Sequence, residues 1–127
     1  MKIKQLGRHL LIEFIGCDPK LLNNLRAIKR MCRQAVLESG ATIVGDRFHK
    51  FAPHGVSGVF LLAESHFSFH SWPEYGYAAV DVFTCGEKVD PEKTRIYLKR
   101  ELKARRAFIR RVKRGIPSEK NGVIPHK

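Results

Sequence analysis

With 127 residues and 43% hydrophobic content, the chain has material for one globular domain around one core. Its 24 Lys and Arg against 12 Asp and Glu give a formal charge of +12, which attracts anionic partners without identifying any of them. Three cysteines, Cys17, Cys32 and Cys85, form an odd set with no CxxC spacing, which argues against a disulfide framework or a thiolate metal site and suits a reducing cytoplasm.

In chain order, His9 to Ile15 reads as a strand. Its apolar run is short and holds Glu13, so it fits neither a signal peptide nor a membrane span. A carboxylate there faces solvent at a sheet edge or looks into a polar cleft. Asp18-Pro19 pairs an N-cap with proline at the first helical position, and Leu21, Leu25, Ile28, Cys32, Ala35 and Val36 then recur at three- and four-residue steps. This predicts one helix ending at Gly40, with Lys20, Arg26, Lys29, Arg30 and Arg33 on its wet side. Ala41 to Phe51 reads as a strand broken at Gly45-Asp46, and Pro53-His54-Gly55 as a turn.

Val56 to Ala63 is a continuous apolar run, the pattern of a strand buried in a sheet. His66 to Trp72 alternates, with His66, Ser68 and His70 on one face and Phe67, Phe69 and Ser71 on the other. Pro73 to Gly76 turns the chain, and Tyr77 to Cys85 returns as a further strand. Asp90-Pro91 opens a second helix running to about Ala104, with Tyr97, Leu98 and Leu102 inward, and Ala107 to Val112 closes the order β-α-β-β-β-β-α-β.

That order predicts an α+β fold: a two-layer α/β sandwich, mainly antiparallel, with two helices on one face and the other face left for a partner. Residues 1–114 form the single domain, and 115–127 a basic tail too poor in apolar residues to be ordered. Positive charge crowds the last third, from Lys99 to Arg114. A solvated helix face followed by a charged edge strand accounts for it, and a heat-adapted source would enrich the same residues. A nucleic-acid patch is the less favoured reading, because no arginine-glycine, helix-turn-helix or zinc spacing accompanies the charge.

The nearly uncharged stretch from Gly55 to Gly86 concentrates the reactive side chains Ser57, Ser65, His70 and Cys85. Three of them have a plain structural reading: turn chemistry for Ser57 between glycines, a hydrogen-bonded sheet histidine for His70, a small buried hydrophobe for Cys85. No GxSxG elbow supports a serine hydrolase, and His66 and His70 lie four apart on a strand, where that spacing makes no metal pair.

Taken whole, the string AESHFSFHSWPEYGYAAVDVFTCGE resembles the small prokaryotic S-adenosylmethionine decarboxylases, proenzymes that make their own pyruvoyl cofactor. GRHLLIEFIGCD, ESGATIV, GVSGV and the Asp90-Pro91 helix start extend the resemblance over about Leu6 to Val112. It implies that Ser65 attacks the Glu64 carbonyl and that the chain parts between Glu64 and Ser65 into 1–64 and 65–127, leaving Ser65 as the pyruvoyl group that forms a Schiff base with substrate. His70 is implied as the proton acceptor in processing, Ser57 as the group stabilising the cyclic intermediate, and Cys85 as the proton donor in turnover, its thiol kept protonated by burial. Phe51 resembles the aromatic that stacks on adenine and Glu74 the carboxylate that takes the ribose hydroxyls, with Glu13 a further acidic wall.

The resemblance further implies a cytoplasmic homodimer pairing across its sheets, with active sites near the interface, serving spermidine synthesis. The alternatives are an arginine decarboxylase on the same scaffold and, from another class, a basic nucleic-acid-binding module. No metal is expected. One geometric tension accompanies this assignment: Ser65 and His70 are an odd number of residues apart, so an unbroken strand sends them to opposite faces. Either the backbone bends near Glu64-Ser65 or His70 approaches from another direction.

Overall fold

The computed structural model describes residues 5–116, and most of the expected tail lies outside them. Alternation of buried and open positions builds the strands. In β1 (Gly7–Ile15), Leu10, Ile12 and Phe14 point into the core while Leu11, Glu13 and Ile15 point away. β4 (Ser65–Trp72) buries Phe67, Phe69 and Ser71 and turns His66, Ser68 and His70 outward, as its alternation predicts. With β2 (Ile43–Lys50), β3 (Val56–Leu62), β5 (Tyr77–Thr84) and β6 (Arg106–Arg114) they form one antiparallel sheet in the order β2-β3-β4-β5-β1-β6.

The predicted first helix is divided into α1 (Pro19–Leu22) and α2 (Leu25–Glu38). Two asparagines make the break, since short amide side chains compete with helical hydrogen bonds. Asn24 accepts from the Ala27 N–H at 3.0 Å and caps α2, while Asn23 accepts from the Gly55 N–H at 2.9 Å and ties the break to the start of β3. Capped by Asp90, α3 (Pro91–Glu101) stops short of Ala104. Its Leu98 is buried, as is Leu102 beyond it, whereas Tyr97 is only partly covered. No helix among the described residues is long and apolar enough to cross a membrane.

Helices cover one face of the sheet only. The apolar run of β3 is therefore buried on a single side: Val56, Phe60 and Leu62 face the core, but Val59 and Leu61 remain 40% and 56% exposed. Leu11, Ile15, Trp72 and Phe108 lie exposed on that same open face. The expected break at Gly45-Asp46 is a register shift between Ile43 and Gly45 within a continuous strand. Glu13 is not at an edge, because β6 pairs outside β1 and carries the basic residues there.

Core packing is aromatic in the centre, where Phe60 and Phe67 meet at a tilt, 6.1 Å apart, and Phe48 lies edge-on to Phe60 at 5.2 Å. Gly58 leaves room for the Phe48 ring, which a Cβ there would meet at 2.1 Å. Phe67 is completely buried. Phe67→Ala is expected to lower stability by about 3–5 kcal/mol, read as a lower midpoint in chemical denaturation.

Candidate active site

The β3–β4 hairpin closes through Ala63 and Glu64, with Leu62 paired to Ser65 across the turn. Ser65 has φ +152°, a backbone setting that residues bearing a side chain rarely adopt and that costs on the order of 1–3 kcal/mol. The bond before it is held from several sides. Ala63 N–H donates to the Thr42 carbonyl at 2.9 Å, and Thr42 N–H donates to Glu64 Oε1 at 3.0 Å. Lys88 Nζ reaches Glu64 Oε2 at 3.1 Å. The Thr42 N–H, aided by Lys88 and against some desolvation, keeps the Glu64 carboxyl below its ordinary pKa.

Two donors converge on the Glu64 carbonyl oxygen: the Cys85 backbone N–H at 3.0 Å and the Cys85 thiol at 3.1 Å. Together they have the arrangement of an oxyanion hole, aimed at the carbonyl that a Ser65 hydroxyl would attack. Cys85 is exposed, not buried as expected, because it lies just past the end of β5 where the sheet no longer covers it. Thr84 sits directly across from Ser65, fully buried, its hydroxyl without a hydrogen-bond partner among the described residues.

A second group lies toward the far end of β4. Ser57 and His70 are cross-strand partners, with Ser57 Oγ 2.7 Å from His70 Nδ1. Ser57 is therefore a strand residue on the open face, not part of a turn, since β3 already begins at Val56. On this same row, Glu13 accepts from the Tyr77 hydroxyl at 2.6 Å. Burial and that carboxylate push the Tyr77 pKa up to about 12. Trp72 packs 5.3 Å from Tyr77 and 6.5 Å from His70. Phe51 is 47% exposed and meets His49 edge-on at 4.6 Å, so its ring is open to a ligand and not part of the core. Glu74 pairs with His54 at 3.1 Å beside an open groove of about 840 Å³ whose walls include Lys20, Asn23 and Lys50.

Glu64, Ser65 and Cys85 are thus brought together, and Ser57 and His70 are brought together, but the two groups stay apart. Ser65 and His70 are five positions apart on β4, about 17 Å at the usual strand rise. The sharp backbone setting at Ser65 does not close that distance.

A family model described as S-adenosylmethionine decarboxylase matches residues 8–115. The chain is 54% identical over 113 residues to the S-adenosylmethionine decarboxylase proenzyme of Thermotoga petrophila, covering 89% of this chain and 87% of that protein. It is 47% identical over 122 residues to the proenzyme of that name from Thermodesulfovibrio yellowstonii, covering 96% and 90%. Among solved structures, the adenosylmethionine decarboxylase of Aquifex aeolicus superposes with a TM-score of 0.84 at 36% identity, covering 92% of this chain and 97% of that one. Fold, site and comparisons together define a decarboxylase of the kind made as a proenzyme. The chain belongs to the S-adenosylmethionine decarboxylase family.

Proposed function

We propose that this protein cuts itself before Ser65 into chains of residues 1–64 and 65–127 and, as a cytoplasmic homodimer, decarboxylates S-adenosylmethionine to supply aminopropyl groups for polyamine synthesis. The observation that carries the proposal is the pair of Cys85 donors on the carbonyl of an immobilised, strained Glu64–Ser65 link. Attack by Ser65 Oγ on the Glu64 carbonyl carbon places negative charge on the oxygen those donors hold. The C–N bond then breaks, giving an ester and freeing the Ser65 amine. Loss of the Ser65 Cα proton expels the Glu64 carboxylate by cleavage of the Cβ–O bond, and the remaining enamine takes up water and releases ammonia to leave a ketone. Histidine suits the proton abstraction near neutral pH, which is the role proposed for His70.

His70 is too far from Ser65 in its own chain, so the partner's His70 is proposed to serve this Ser65, with Ser57 orienting the ring through Nδ1. Two sheets stacked through their open faces would bring one protomer's Ser57–His70 end over its partner's Ser65 end, and would cover the exposed Leu11, Val59, Leu61 and Phe108. Phe51 offers an adenine base an aromatic face, Glu74 offers the ribose hydroxyls a carboxylate, and Glu13 adds negative charge suited to a sulfonium ion. A free arginine substrate needs neither the aromatic face nor a sugar contact. The relatives' shared name also favours the nucleoside.

The pyruvoyl group derived from Ser65 supplies the electron sink for loss of carbon dioxide. Cys85 is proposed to return a proton to the substrate α-carbon, a role supported by its thiol lying against residue 64. Cys85→Ala removes a weak thiol donor and keeps the backbone N–H. Cleavage should therefore slow by no more than about tenfold, while turnover falls by about a hundredfold or more. Quenched time courses on denaturing gels and a carbon dioxide assay separate the two effects. The test of the whole proposal is intact mass together with carbon dioxide release from S-adenosylmethionine beside arginine: one uncut chain in an active preparation, or preference for arginine, would overturn it.

A further inference from the structure

Apart from the Ser65 and His70 groups, the open face carries a polar network spanning four strands. Asp81 on β5 accepts through Oδ2 from His9 Nε2 at 2.7 Å and from His66 Nε2 at 3.0 Å, and through Oδ1 from the Ser68 hydroxyl. Arg114 Nη1 lies 3.0 Å from His9 Nδ1. An arginine can only donate, so that nitrogen accepts and the His9 proton sits on Nε2, directed at Asp81. Phe83 packs against both imidazoles, 5.3 Å from His9 and 5.7 Å from His66, which meet each other edge-on at 6.0 Å. Burial would push the Asp81 carboxyl up, yet the bonds from Ser68, His9 and His66 keep it below its ordinary pKa, so it is a full acceptor at neutral pH.

We propose that Asp81 is a positioning residue which, through His66, holds the residue-65 end of the new chain in place once the Glu64–Ser65 bond has been cut; this rests on the self-cleavage proposed above. Apart from the ladder pairing of Ser65 with Leu62 and Thr84, the contacts that fix the scissile link are made by Ala63 or Glu64, to Thr42, Lys88 and Cys85. Cleavage leaves those contacts on the other chain, no longer joined to residue 65. Residue 65 then keeps one covalent tether, its amide to His66, and loses its own backbone N–H as nitrogen leaves. The first side chain of the new chain is His66, and Asp81 is what grips it. Ser68, two residues further on the same face, is gripped by the other Asp81 oxygen, so one carboxylate fixes the first turn-free stretch of the new terminus at two points. A reacting group misplaced by about 1 Å can lose about a hundredfold in rate, which is why such a terminus needs anchoring.

The test compares Asp81→Asn with the parent protein, each both cleaved and locked uncut by Ser65→Ala. Hydrogen exchange of the backbone amides of residues 66–69 should quicken about tenfold or more in cleaved Asp81→Asn and stay unchanged in the uncut pair, where the Glu64 contacts persist. The cleaved fraction by intact mass and the ketone count by hydrazine labelling should match the parent, while kcat falls about thirtyfold or more with KM within about threefold. His66→Ala, in which Asp81 keeps His9 and Ser68, should reproduce the kcat loss and serves if Asp81→Asn does not fold. Unchanged exchange in the cleaved variant, equal quickening in cut and uncut forms, or full turnover in His66→Ala would overturn the proposal. A parent protein that stays uncut would instead sink the self-cleavage reading beneath it.

Discussion

Replacing Ser65 by alanine should leave one uncut polypeptide of 127 residues that releases no carbon dioxide from S-adenosylmethionine. The substitution removes one oxygen atom, and with it both the nucleophile that attacks the Glu64 carbonyl and the precursor of the ketone. Among the described residues no other hydroxyl is placed to substitute: Thr84 lies across the ladder on β5, and Ser57 belongs to the distant His70 group. The loss should be total on the scale of the assay, since the uncatalysed reactions are slower by factors of about a million or more. Folding should survive, because the clamps on Glu64 from Thr42, Lys88 and Cys85 do not involve the Ser65 side chain. A melting temperature within a few degrees of the parent, with no cleavage on prolonged incubation, is the expected result. Cleavage at the same bond would refute the assignment of Ser65.

The second large effect concerns the split between the two residue groups. A homodimer of Ser65→Ala has no nucleophile, and a homodimer of His70→Ala should stall at the ester, because the base is missing from both sites. If the partner's His70 serves each Ser65 as proposed, one site of a mixed dimer receives the intact Ser65 of one chain and the intact His70 of the other. Co-expression of the two variants should therefore restore cleavage, only in the His70→Ala chain and in at most about half of those chains, or about a quarter of all sites, as a statistical mixture of paired subunits dictates. Differential tagging and intact mass read which chain was cut. Absence of rescue in a mixed dimer proven by the tags would mean that His70 acts within its own chain, through a rearrangement of β4, or does not act in processing.

Much of this was legible in the sequence because strand alternation and capping are local signals. Period two placed His66, Ser68 and His70 on one face and Phe67 and Phe69 on the other, and Asp18-Pro19 and Asp90-Pro91 marked true helix starts. The interruption at Asn23-Asn24 was hidden because the apolar steps run on through it, and only the contact with Gly55 reveals why the chain stops there. Exposure of Val59 and Leu61 was hidden for another reason: an apolar run is the same whether its second side meets a helix or another molecule. The reactive residues stood out as a motif, but their supports did not. Thr42, Lys88, Asp81 and His9 reach the site from other strands and loops, and neither their spacing nor their type announces the contact.

The turn Ala63-Glu64 also decides what happens to the molecule afterwards. The proposed break at the tip of a hairpin would leave the ladder on either flank intact, so β3 and β4 would remain neighbours although they would then belong to different polypeptides. Maturation in this fold would be a one-way passage. Once unravelled, the two pieces could regain the sheet only by meeting again in solution, and the lifetime of the working protein would rest on how slowly it opens.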